Sequence, residues 1–170
     1  MNAERPDHPK PKPESSAVPA LEIAIAEHPF LRGLAPAHLR TLADNALLMS
    51  WQPGEVIFRE GDPANRFYLI RQGKVALESG QRDEAPVLIQ QIGAGDVLGW
   101  SWLFPPFYWR FDARAVEPTS AIFFYGTRLR EKSEESPGLG YELMKRMVAV
   151  VIQRLQATRK QLLNAKPRST

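Results

Sequence analysis

Between Gly95 and Arg110 the chain reads GDVLGWSWLFPPFYWR. The stretch reads like a loop built to hold a phosphate, with Gly99 ending a short apolar run. Free backbone N–H groups and a guanidinium fork hold such an anion. Gly99, Trp100, Ser101, Trp102 and Arg110 are therefore the candidate ligand-binding residues of this stretch. The same stretch is crowded with rings. Trp100, Trp102, Phe104, Phe107, Tyr108, Trp109 and Phe111 make seven aromatic residues in twelve positions, with Pro105 and Pro106 among them. Such density either plugs a pocket with its own side chains or walls it for a flat ligand, and the sequence leaves both readings open.

Other chemistries find little support. There is no cysteine, which removes disulfides, thiolate nucleophiles and cysteine-ligated metal centres. His8, His28 and His38 fall in the N-terminal third and are expected away from the β-rich centre, so no imidazole set for a metal is expected there. The carboxylate pairs Asp83–Glu84 and Glu134–Glu135 read as solvated turn or helix-end charges. No nucleophile and base can be paired, and an enzyme is not expected.

The elements that must position the cradle follow from pattern. The chain has 170 residues, 44% of them apolar, which suits one core and a tail. Residues 1–18, with four prolines, read as a disordered arm, residues 19–164 as the domain, and 165–170 as a flexible tail. From Leu21 to Met49 apolar residues recur three and four apart, which predicts two short helices, the second opened by Pro36. Between about residues 50 and 126 the pattern changes to short β-rich runs cut by PGE, EGDPAN and RQG turns. Runs at this spacing without helices between them predict an antiparallel barrel or jelly roll rather than a βαβ design. Helix returns near Thr127–Glu135 and, after Pro137, in a long segment to Asn164. The fold class is thus mainly β with flanking α. Along the last helix Met144, Val148, Val151, Leu155, Thr158 and Leu162 are spaced 4, 3, 4, 3 and 4, the seam of a coiled coil. A homodimer through this seam and a helix packed on its own barrel both fit, since a helix has two faces.

The order of elements and four strings, HPFLRGL, PGEVIFREGDPANRFYLIRQGKVAL, GAGDVLG and RLQAT, resemble the cyclic-nucleotide-binding domain of the catabolite activator protein and fumarate-nitrate regulator family. The resemblance implies an eight-stranded jelly-roll barrel, a ligand cassette around Gly99 with a short helix after the glycine, and a long dimerising helix. It also implies that a glutamate following the glycine takes the ribose hydroxyl and an arginine holds the cyclic phosphate. Here the glutamate position is Trp100, whose indole N–H is a donor only. Losing one charged acceptor costs a ligand on the order of 2 to 4 kcal/mol. The arginine position falls on Arg110 counting forward from Gly99, and on Trp109 counting back from ARAV. Arg154 and Thr158 match positions from which the family's last helix reaches the purine.

These readings converge on a regulatory module that acts through an unidentified partner protein, with a cyclic nucleotide or another small ligand in an atypical aromatic cassette. The alternative is an interaction dimer with a filled pocket. The net charge of +3 is a small surplus, and the few residues after Leu162 leave no room for a helix-turn-helix, so direct DNA binding is not expected. Without an apolar run of membrane-spanning length or a signal sequence, a soluble cytoplasmic protein is expected.

Overall fold

The computed structural model describes residues 18–80 and 85–165. Most of the expected N-terminal arm, the Asp83–Glu84 pair and the tail from residue 166 lie outside the described residues. Helices α1 (Val18–Glu27) and α2 (Pro36–Ala43) lead into eight strands, and α3 (Gly126–Glu135) and α4 (Pro137–Ala165) follow them. The strands are β1 (Ala46–Trp51), β2 (Val56–Phe58), β3 (Arg66–Gln72), β4 (Lys74–Ser79), β5 (Val87–Gly93), β6 (Val97–Leu98), β7 (Asp112–Ala115) and β8 (Thr119–Tyr125). They form two four-stranded antiparallel sheets, β1-β8-β3-β6 and β2-β7-β4-β5. This is the jelly roll that the turn spacing predicts.

One boundary moves. The helical reading of Leu21–Met49 runs too far, because α2 stops at Ala43 and Ala46–Trp51 pairs along β8 from Phe124 to Thr119. The run ALLMSW is apolar at both periods, so pattern alone does not separate helix from strand there. Tertiary pairing decides it: Ala46, Met49 and Trp51 are buried against the rest of the barrel.

Sheet β1-β8-β3-β6 is covered on both faces, which explains why its central strands read as continuous apolar runs. In β3, Phe67 and Leu69 point to the helices, while Tyr68 and Ile70 point between the sheets. In β8, Ile122 and Phe124 face the helices, and Ala121 and Phe123 face the barrel interior. Period-two alternation thus splits one sheet's side chains between two cores. The outer core joins Ile25, Phe30, Leu31, Leu42 and Leu129 to Leu139, Leu143 and Met147 of α4, which fixes that helix across the sheet. No helix among the described residues is long and apolar enough to cross a membrane.

His28 locks the end of α1 to the barrel. It is buried, its Nε2 lies 3.1 Å from the carbonyl oxygen of Ile70, and its Nδ1 lies 3.3 Å from the Phe30 N–H. The imidazole is therefore neutral, donating through Nε2 and accepting through Nδ1. This corrects the expectation that all three histidines lie away from the barrel. Burial pushes the His28 pKa below its ordinary value, and the bond to Ile70 and the charge of Asp96 offset that in part. The unfolded chain then binds a proton that the folded chain resists, so stability falls as pH drops through the ordinary histidine value of 6.5. Denaturant midpoints measured between neutral and mildly acidic pH should fall more steeply for the wild type than for His28→Gln.

Candidate functional site

The cassette begins where β6 ends. Gly99 has φ +85°, a left-handed conformation that side chains disfavour. A Cβ built there would also lie 2.7 Å and 2.8 Å from Cζ3 and Cη2 of Trp109, and 3.3 Å from the carbonyl oxygen of Arg66. Glycine is required twice over, for its backbone and for the ring resting on it.

Trp109 is aimed inward by its backbone. Its N–H donates to the carbonyl of Asp62 at 2.9 Å and its own carbonyl accepts from Gly61 at 2.9 Å. The Ala64 N–H donates to the carbonyl of Phe107 at 2.7 Å, and Pro63 bridges to Tyr108. This short ladder against EGDPAN fixes the parity of the segment. Trp109 and Phe111 therefore point into the barrel, while Tyr108 and Arg110 are exposed. The indole of Trp109 then stacks on Phe58 with centroids 3.8 Å apart and planes 11° apart, and Phe58 stacks in turn near Tyr68 and Phe111. Of the two registers open in the sequence, the inward position is that of Trp109. Arg110 stands at the surface beside it.

After Gly99 the chain makes one turn, with the Leu103 N–H donating to the Trp100 carbonyl at 3.0 Å, and no helix follows. The short helix implied by the resemblance is absent here for a physical reason. Pro105 and Pro106 bring no N–H, and a residue before proline is driven away from helical backbone. The loop is pinned from outside instead, because the Arg130 guanidinium of α3 donates to the Trp102 carbonyl and lies 4.6 Å from the ring centre of Phe107. Trp102 is buried in the outer core beside Phe67, and Ser101 is buried next to it.

Trp100 covers the mouth. It is half-buried, packs edge-on against Phe111 at 5.9 Å, and carries the guanidinium of Arg154 at 4.7 Å from its ring centre. Arg154 also donates through Nη2 to the Val97 carbonyl, and its Nη1 has no partner. Burial lowers the pKa of Arg154 to about 10, with the Asp96 carboxylate acting in the opposite direction. At neutral pH the group remains charged, so a desolvated cation is held by a ring face and a carbonyl. Thr158, one turn further along α4, is exposed. The structure thus seats Trp109 on Gly99 and Arg154 on Trp100, and leaves Arg110 and Thr158 exposed. Phe58 and Arg130 were not singled out in the sequence; a strand phenylalanine and a helix arginine carry no local signal of such contacts. Among the described residues no group of three or more His, Cys, Asp or Glu could hold a metal ion.

The fold is a two-sheet jelly roll with a glycine-opened cassette between β6 and β7 and a long helix that reaches it through Arg154. The family model of the cyclic nucleotide-binding domain matches residues 48–136, and the chain belongs to that family. A solved structure described as a cyclic nucleotide-binding protein of Geobacter metallireducens GS-15 is 29% identical, with a TM-score of 0.69 over 82% of this chain and 98% of that one. A cyclic nucleotide-binding domain from Methylobacillus flagellatus shares the fold at TM-score 0.75 and 19% identity, covering 87% of this chain and 85% of that one. Among curated relatives, the CRP-like cAMP-activated global transcriptional regulator of Mycobacterium tuberculosis is 24% identical over 81% of this chain. The acetyltransferase Pat of Mycolicibacterium smegmatis is 34% identical over 51% of it. The chain spans 60% of the regulator's length and 25% of the acetyltransferase's.

If Trp109 and Gly99 are in contact, their substitutions are coupled. Trp109→Ala should cost about 3 to 5 kcal/mol in urea unfolding. Gly99→Ala should cost clearly less in the Trp109→Ala background than in the wild type, with a coupling of roughly 0.5 to 3 kcal/mol. Additive effects would place the two residues apart.

Proposed function

We propose that this chain is a dimeric regulatory module of the cyclic nucleotide-binding fold whose cassette is closed by its own side chains, and that it acts by presenting a surface to a partner protein. The observation that carries this reading is the indole of Trp109 seated on Gly99 and stacked on Phe58, in the position where the cassette would otherwise receive a ligand. Two further features support it. Trp100 stands where the resemblance expects a ribose-binding carboxylate, and the chain after Gly99 makes a single turn in place of the short helix. Displacing Trp109 would sacrifice a buried stack, and a cyclic nucleotide would receive no carboxylate in return.

A surface for other proteins is better supplied. In the cassette Phe104 is 45% exposed and Tyr108 is 49% exposed, and Arg110, two residues after Tyr108, is exposed as well. Exposed aromatics next to arginine are the composition of interface hot spots. The seam of α4 favours self-association: Val148, Leu155 and Leu162 are 46%, 63% and 67% exposed, while Leu139, Leu143 and Met147 of the same helix are buried on the barrel. An apolar stripe with heptad spacing, left open by its own domain, suits a second copy of the helix. Such a module has no catalytic role in this reading.

Two measurements test it. Millimolar cAMP or cGMP should leave the melting temperature unchanged, whereas a saturable rise would show that a nucleotide stabilises the fold and would overturn the closed-cassette reading. Leu155→Glu, placed on the seam and away from the barrel, should halve the mass seen by light scattering without loss of helical signal. A wild type that is already monomeric at micromolar concentration would remove the dimer.

A further inference from the structure

A cleft of about 780 Å³ lies outside the barrel, between α4 and the β5–β6 turn, with Pro29 and Phe30 at one end. Its polar walls are Gln90, Gln91 and Asp96 on the barrel side and Arg146, Gln153 and Arg154 on the helix side. This is the size range of small-molecule sites, and polar groups converge on it from two rigid elements. It is also separate from the dimer seam. With 100° between successive helical residues, α4 divides into three faces: the exposed seam, the core row of Leu139, Leu143, Met147 and Arg154, and on the far side of that row Arg146, Ala149, Gln153 and Ala157. No seam residue lines the cleft.

The charges in the cleft are unevenly satisfied. Arg146 is paired with the carboxylate of Glu142 and donates to the Arg32 carbonyl at 3.3 Å. The carboxylate of Asp96 accepts from the Gly93 N–H at 2.8 Å. Arg154 is different: it is 8% exposed, its Nη1 makes no hydrogen bond, and among the described residues no carboxylate lies within ion-pair distance of it. A buried cationic donor without an acceptor is costly; Nη1 has no exposed surface of its own, and a small turn of the guanidinium toward the cleft would let an oxyanion recover that cost as a charge-assisted bond. The small side chains of Ala149 and Ala157 leave room on the helix for such a group.

We infer that this cleft is a binding site for a small organic acid or phosphate-bearing molecule, whose oxyanion completes the shell of Arg154 and whose other polar groups meet Gln90, Gln91 and Gln153. The site does not depend on whether the cassette is closed. Through Arg154 it touches both α4 and Trp100, so an occupant would steady the helix that carries the seam.

Citrate and inorganic phosphate are the probes, titrated to millimolar concentration against sodium chloride of matched ionic strength, with melting temperature as readout. The wild type should show a saturable rise of a few degrees with at least one of the two, and none with chloride. Arg154→Gln should weaken the apparent affinity by about tenfold or more. Ala149→Phe, an exposed position that fills the cleft without touching the guanidinium, should do the same and decides the matter if Arg154→Gln fails to fold. A flat response to both anions, or a rise that persists unchanged in the folded variants, would overturn the site. Because cyclic nucleotides are not used, this outcome is independent of the nucleotide titrations.

Discussion

The contact on which the structure turns is the indole of Trp109 lying on the α-carbon of Gly99. It depends on two backbone facts together: a left-handed glycine without a Cβ, and a ladder from Asp62 and Ala64 that sets the parity of residues 107–109. Shift that parity by one residue and Arg110 would face the barrel while Trp109 faced water. One register therefore decides whether the cassette presents a cation for a phosphate or a ring that occupies the space. The stack on Phe58 then ties the ring to β2, so Trp109 is part of the barrel core.

Much of the fold was legible in the sequence because its signals are local. PGE, EGDPAN and RQG mark turns by their chemistry, the break at Pro137 separates α3 from α4, and the alternation in RFYLIRQ and TSAIFFY marks central strands. The run ALLM at the start of β1 reads as helix since its burial comes from pairing with β8, which lies about seventy residues away in the chain. The candidate site was legible to a lesser degree. Gly99 and Trp100 announce themselves by type and position, and Arg154 by its place in RLQAT. The parity of Trp109 and Arg110 is set by hydrogen bonds to a segment some forty-five residues earlier, and no spacing within the cassette encodes it.

Arg154 links the parts that would otherwise be independent. From the core row of α4 it reaches the Val97 carbonyl at the end of the barrel, the face of Trp100 over the cassette, and the wall of the outer cleft. The helix is held by one desolvated cation near its middle and by Leu139, Leu143 and Met147 towards its start, while the later seam residues Leu155 and Leu162 stand exposed.

The most direct test is the Trp109–Gly99 contact in solution, measured as nuclear Overhauser effects between the Hζ3 and Hη2 protons of the indole and the α-protons of the glycine. The account predicts strong cross-peaks that persist, with unchanged intensity, in millimolar cAMP. Cross-peaks that are absent in the free protein, or that vanish as cAMP is added, would show an open or opening cassette and would contradict it.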